Sequence, residues 1–136
     1  MERVQGVAEQ DATGLVKEIY EEMKSRRGWA FVPLIWRVMA LNPPYLQANW
    51  ERYQAIMMTG SLDSKVKEMI ALTVSMVNRC NYCIDSHSGA LRKMGMTDGE
   101  LMELVAVIDF FAGTNVLSSG LGLEFEQSAP KEMESS

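Results

Sequence analysis

Basic residues are a minority in this sequence, with 13 lysines and arginines against 18 aspartates and glutamates and a net charge of −5. A mildly acidic chain lacks the electrostatic footprint that binds nucleic acid or an anionic membrane surface. We therefore expect no nucleic-acid partner and no membrane partner.

Long hydrophobic runs are also lacking. The longest, LVAVIDFFAG at residues 104–113, is too short to span a bilayer and contains Asp109. The N-terminal stretch MERVQGVAEQD has no apolar segment of the kind a targeting signal needs. These absences predict a soluble, cytoplasmic protein. In that compartment, two cysteines close together are more often a catalytic or metal-binding pair than a structural disulfide.

No stretch alternates apolar and polar residues as a strand does, and no internal repeat or linker is present. This excludes a thioredoxin fold, which needs strands in a βαβ pattern. Apolar residues recur instead every three or four positions, which predicts helices almost throughout. We predict an all-α fold, a single-domain bundle of about six helices over residues 1–126, followed by a flexible polar tail at residues 127–136.

Two local signals mark helix starts. Asn42 precedes two prolines, as an N-terminal cap does, and Thr97 with Glu100 forms a T-x-x-E capping box. The last helix, which the capping box begins, is apolar nearly all round from Val105 to Ala112. We expect it to be buried within the bundle or against another subunit.

Both cysteines and the only histidine lie in the eight-residue segment CNYCIDSH, residues 80–87. On a helix, Cys80, Cys83 and His87 project from one face, because their separations of three and four residues match the helical turn. Cys80 would lie in or next to the first turn, where free backbone N–H groups and the helix dipole favour a thiolate. An imidazole one turn beyond Cys83 can accept the thiol proton. A thiolate beside a second thiol supports a two-electron redox cycle.

Glu68 lies in the preceding helix, twelve residues before Cys80. If the two helices pack antiparallel, its carboxylate can reach back and orient His87, directly or through a water. It could equally be a solvated residue beside its lysine neighbours.

Three interpretations of CNYCIDSH compete at this point: a redox dithiol, a zinc site and a chance pair in a packed core. Structural zinc sites usually take ligands from two separated pairs, whereas three of the candidates here share one helix face. Haem attachment requires a histidine directly after the second cysteine, where this chain has Ile84. Polar neighbours such as Asp85 and Ser86 indicate a solvated face rather than a core.

The spacing E-x11-C-x2-C-x3-H, formed by Glu68, Cys80, Cys83 and His87, resembles the signature of the alkylhydroperoxidase D-like group of the carboxymuconolactone decarboxylase superfamily. The flanking segments FVPLIWRVMALNP and FFAGTNVLSSGLGLE are also similar to that group. The resemblance covers roughly residues 15–125.

The resemblance implies an all-helical subunit that assembles into trimers or hexamers. It implies Cys83 as the attacking cysteine, Cys80 as the resolving and more exposed one, and Glu68 with His87 as the proton relay. The best-studied branch has a second histidine just before the attacking cysteine, where this chain has Tyr82. A tyrosine donates a hydrogen bond but is a poor base near neutral pH, so redox cycling is better supported than strong peroxidase activity. The cysteine pair argues against lactone decarboxylation, because the true decarboxylases lack it.

The leading hypothesis is therefore a thiol-dependent enzyme that reduces hydroperoxides or partner disulfides. It needs no bound cofactor or metal, but an external dithiol must reduce its oxidised pair. That reductant, or the protein it serves, is expected to be thioredoxin-like, lipoyl-bearing or a peroxiredoxin. The rival hypothesis is a non-enzymatic helical oligomer whose cysteine pair is a redox sensor or a zinc clip.

Overall fold

A computed structural model describes residues 2–126 of the chain, so the predicted polar tail at 127–136 lies outside the described residues. A short 3-10 turn at Glu9–Asp11 precedes six α-helices, and the described residues contain no strand. The helices are α1 (Gly14–Arg27), α2 (Leu34–Met39), α3 (Pro43–Met57), α4 (Ser64–Val77), α5 (Asn81–Lys93) and α6 (Asp98–Gly120). The prediction of an all-α fold with about six helices is confirmed.

These helices divide into two compact units, with the boundary between Ser61 and Leu62. The first unit contains α1, α2 and α3, and the second contains α4, α5 and α6. The prediction of a single domain over residues 1–126 stays a prediction.

The first unit is built around an aromatic cluster. Trp36 and Trp50 are buried and meet edge to face, with ring centroids 5.8 Å apart, and Tyr53 stacks on Trp50 at 5.6 Å. Such pairs add to the hydrophobic gain of burying large rings. Met23 of α1 and Leu46 of α3 are fully buried in the same core.

Polar contacts fix the N-terminal segment of this unit. The Tyr20 hydroxyl donates to the Val7 carbonyl at 2.9 Å, and burial raises the pKa of Tyr20 to about 12. Glu9 pairs with Lys24 at 2.8 Å and accepts from the Val32 amide at 3.1 Å. The Lys24 ammonium, followed by the Val32 amide, lowers the pKa of Glu9.

Both predicted helix starts are confirmed. The Asn42 side chain accepts a hydrogen bond from the Tyr45 amide at 3.3 Å, and prolines open α3. At α6, the Thr97 hydroxyl accepts from the Glu100 amide at 3.2 Å, and the Glu100 carboxylate accepts from the Thr97 amide at 2.8 Å. These contacts satisfy amide groups that the first helical turn leaves without a partner.

The second unit is organised by the close packing of α4 against α5, with α6 also contacting α4. Leu72 of α4 and Leu91 of α5 are fully buried, and Met96 completes their core. Only three residues separate α4 from α5, so the chain reverses direction and the two helices run antiparallel.

The position of α6 corrects one expectation. None of its residues is buried, and large apolar side chains such as Phe110, Phe111 and Val116 are exposed. The prediction that α6 is buried within the bundle is therefore wrong for the described residues. The alternative, that α6 is buried against another subunit, stays a prediction.

The length of α6 corrects a second expectation. Uncharged residues after Ala112 extend the helix to 23 residues, and by length and composition alone it could cross a membrane. A single helix of this kind is a weak indicator of membrane insertion, since other apolar helices meet the same criteria.

Candidate functional site at the start of α5

The turn between α4 and α5 fixes the cysteine segment. The Cys80 amide donates to the Ser75 carbonyl at 3.0 Å, and the Arg79 amide donates to the Met76 carbonyl at 3.1 Å. These two bonds form a Schellman motif, which ends a helix with one residue in the left-handed conformation. That residue is Arg79, with φ at 57°, the only non-glycine residue with positive φ among those the structure describes. An L-residue in this conformation costs roughly 1–2 kcal/mol.

Cys80 closes α4 and also begins α5. It is the N-terminal cap of α5, where its carbonyl accepts from the Ile84 amide at 2.8 Å and its Sγ accepts from the Cys83 amide at 3.3 Å. This confirms the prediction that Cys80 lies in or next to the first turn of a helix. The sulfur therefore lies at the positive end of the helix dipole, where negative charge is stabilised.

The two cysteines form a disulfide, and their Cα atoms are 5.2 Å apart. This separation lies within the usual range for such bonds. The C-x-x-C spacing at the helix start thus brings the two sulfurs within bonding distance. The structure represents the oxidised state of the pair.

His87 and Glu68 meet across the α4–α5 packing. The His87 Nδ1 and a Glu68 carboxylate oxygen are 2.7 Å apart, although the residues are 19 positions apart in sequence. The Glu68 side chain is 5% exposed and that of His87 is 30% exposed. Because an ionised carboxylate can only accept, Nδ1 is the nitrogen that carries the proton in this pair. The other ring nitrogen, Nε2, is then available to accept or deliver a proton.

Of the five residues predicted for the site, Glu68 lies on α4 and the others lie on or just before α5. The structure brings them together as two pairs, Cys80 with Cys83 and Glu68 with His87. His87 follows Cys83 by one helical turn on the same face of α5. Tyr82 lies in the first turn and is 42% exposed.

Sequence reasoning missed two contributors to this geometry, Ser75 and Arg79. Ser75 acts through its backbone carbonyl, which no side-chain pattern reveals. Arg79 occupies a position that glycine usually takes, so the ordinary signal of a helix C-terminus is absent there.

Within residues 2–126, no group of three or more histidine, cysteine, aspartate and glutamate side chains is arranged to hold a metal ion.

The fold and the site define an all-helical protein with a C-x-x-C disulfide at a helix start and a histidine on the same helix that pairs with a buried carboxylate. Comparison with known proteins identifies the family. Residues 43–123 match the carboxymuconolactone decarboxylase family, and the chain belongs to it.

Within that family, the chain is similar to alkylhydroperoxidase AhpD proteins. The crystal structure of the alkylhydroperoxidase AhpD core from Rhodospirillum rubrum superposes with a TM-score of 0.89 and 34% identity, covering 93% of this chain and 96% of that one. An alkyl hydroperoxide reductase from Mycobacterium tuberculosis is 30% identical over 95 residues, which is 70% of this chain and 27% of the relative. The alkyl hydroperoxide reductase AhpD of Azorhizobium caulinodans is 26% identical over 67% of this chain and 50% of its own length.

The chain thus spans between about a quarter and half of the length of these curated relatives. The similarity to the crystallised core includes nearly all of the chain, and it supports the same all-helical fold.

Proposed function

We propose that this chain is a thiol-dependent oxidoreductase that reduces hydroperoxides or partner disulfides through a Cys80/Cys83 dithiol–disulfide cycle. The observation that carries the proposal is the bonded cysteine pair at the start of α5, on the same helix as a histidine held by a buried carboxylate. The names of the similar proteins, alkyl hydroperoxide reductase and alkylhydroperoxidase, support the same chemistry.

In the proposed cycle, the Cys83 thiolate attacks one oxygen of the hydroperoxide and breaks the O–O bond. The sulfur becomes a sulfenic acid, and the alcohol leaves after its oxygen takes a proton. The Cys80 sulfur then attacks the Cys83 sulfur and releases water, giving the disulfide seen in the structure. Two electrons have passed from the dithiol to the peroxide, and an external dithiol returns them by thiol–disulfide exchange.

His87 is the proposed proton carrier of this cycle. Its Nε2 takes the thiol proton and delivers it to the departing alkoxide, while Nδ1 stays bonded to Glu68. Glu68 holds the ring orientation and stabilises the imidazolium that forms between these steps. We propose that Tyr82, at the exposed start of α5, donates a hydrogen bond, since a tyrosine is a poor base near neutral pH.

The proposed reductant is a thioredoxin-like or lipoyl-bearing protein, and the protein served by disulfide reduction is a peroxiredoxin. No resident cofactor takes part in these steps. We also propose a cytoplasmic location and a homo-oligomer, a trimer or hexamer, in which a second copy covers the exposed apolar side chains of α6. This assembly would remove large apolar side chains such as Phe110, Phe111 and Val116 from water.

Two serine variants test the catalytic assignment. Cys83→Ser is expected to abolish turnover, because the attacking sulfur is gone. Cys80→Ser is expected to stop after one step, leaving a sulfenic acid or a mixed disulfide on Cys83. The measurements are peroxide consumption, free-thiol counts and intact mass after one equivalent of peroxide. Full activity in both variants would end the proposal.

Measuring bound zinc, free thiols and peroxide consumption on the same sample distinguishes the rival function, a redox sensor or zinc clip without turnover. Stoichiometric zinc that protects both thiols, with no peroxide consumption, would favour the rival. Rapid loss of two thiols with catalytic turnover favours the enzyme.

A further inference from the structure

Arg79 occupies an unusual position for its residue type, directly before the cysteine pair. Three helices of the second unit end in the same Schellman hydrogen-bond pattern, and the left-handed residue is Arg79 after α4, Gly95 after α5 and Gly122 after α6. Glycine takes this conformation without strain, whereas arginine does not. The chain therefore carries a large cationic side chain at the one such turn that touches the redox pair.

The charge of Arg79 is available to a ligand. The residue is exposed, and no hydrogen bond or ion pair engages its guanidinium within residues 2–126. It adjoins Cys80, whose sulfur lies at the positive end of α5. The cation of Arg79 and the positive end of the α5 dipole thus belong to neighbouring residues of an otherwise acidic chain.

We infer that Arg79 is a specificity-determining residue that selects disulfides and dithiols bearing negative charge close to their sulfur atoms. This inference rests on the proposed function and deepens it by naming the charge of the substrate. Arg79 would act on the encounter with Cys80, and it takes no part in proton transfer.

Arg79 would favour thiol–disulfide exchange between the reduced cysteine pair and an anionic disulfide. With a disulfide substrate, the two cysteines take the opposite roles from those proposed for a peroxide. In the reduced protein, the Cys80 thiolate attacks the substrate disulfide, forms a mixed disulfide and releases one substrate thiolate. Cys83 then attacks the Cys80 sulfur, forms the Cys80–Cys83 bond and releases the second thiolate. The protein loses two electrons and the substrate gains them. A cation on the residue next to Cys80 would attract the anionic substrate and stabilise the departing thiolates.

The expected size of the effect follows from Coulomb attraction. A unit charge about 7 Å from a carboxylate in water changes the encounter about threefold. A substrate with two carboxylates gains about tenfold at low salt, and screening at 1 M salt removes nearly all of this gain.

The test uses three small disulfides that differ in charge: anionic dithiobis(nitrobenzoate), neutral hydroxyethyl disulfide and cationic cystamine. Each reacts with the reduced protein in stopped-flow measurements at low and high salt. Arg79→Gly keeps the turn and removes the charge, while Arg79→Lys keeps the charge. Lys93→Gln, at the far end of α5, is the control for net charge.

We expect Arg79→Gly to slow the anionic probe about three- to tenfold, to leave the neutral probe unchanged and to accelerate the cationic probe. The lysine variant and the Lys93 control should behave like the unaltered chain. An equal change with all three probes would show a structural role for the turn and overturn the inference, as would no change with any of them. If the unaltered chain reacts with none of the probes, the proposed function itself fails, and the inference fails with it.

Discussion

Replacing Glu68 by glutamine tests the proton relay most directly. The substitution keeps the size of the side chain and an oxygen that can accept from His87 Nδ1, but it removes the negative charge. In the structure this carboxylate is buried and bonded to the ring at 2.7 Å. Only the electrostatic part of the interaction should therefore be lost.

The magnitude follows from the kind of hydrogen bond. A bond to a charged partner contributes about 1.5–3 kcal/mol, and a neutral one contributes about half as much. The difference is therefore about 0.8–1.5 kcal/mol, and a difference of about 1.4 kcal/mol, near the upper end, corresponds to a tenfold change in rate. We therefore expect Glu68→Gln to slow oxidation of the reduced protein by peroxide about tenfold. His87→Ala, which removes the proton carrier itself, should slow it by about 10²- to 10⁴-fold.

The assay is stopped-flow oxidation of the reduced protein, followed by loss of free thiols, with thermal unfolding as a check on the fold. Glu103→Gln on α6 is the matched control, since Glu103 is exposed. If Glu68 acts through His87, adding Glu68→Gln to His87→Ala should cause no further loss. An additive loss, or a folded Glu68→Gln variant with unchanged rate, would refute the relay.

Two further predictions concern parts of the chain away from the cysteines. Burial raises the pKa of Tyr20 to about 12 from an ordinary value of 10.0, so the folded state keeps a proton that the unfolded state releases between those values. Stability from this group is complete below pH 10 and falls as the pH rises towards 12. Urea unfolding at pH 9 and pH 11.5 should show a smaller loss for Tyr20→Phe than for the unaltered chain, and equal losses would contradict this explanation. For the proposed assembly, Phe111→Glu and Val116→Glu on α6 should shift sedimentation towards smaller species. A chain that sediments as a monomer without either change, or that dissolves only in detergent, would contradict assembly through α6.

Local sequence signals predicted most of the secondary structure. The apolar periodicity predicted helices because a helix repeats its contacts every three or four residues. The caps at Asn42 and Thr97 were also predictable, because a cap needs only residues within the first turn of its own helix. That α6 is long enough to cross a membrane was not predicted, because uncharged residues continue the helix beyond the apolar run without an apolar pattern of their own.

In the candidate site, too, local geometry was predictable from the sequence and tertiary contacts were not. The sequence by itself determined that Cys80, Cys83 and His87 follow one another at helical spacing, because all three belong to α5 or its N-terminal cap and this geometry is local. Only the tertiary structure decided that Glu68 reaches His87, since that contact depends on how α4 packs against α5 across a three-residue turn. The turn between α4 and α5 requires Arg79 to adopt the left-handed conformation, for which arginine has no intrinsic preference. The exposure of α6 is likewise a tertiary property, because the composition of an apolar helix cannot specify which surface will cover it.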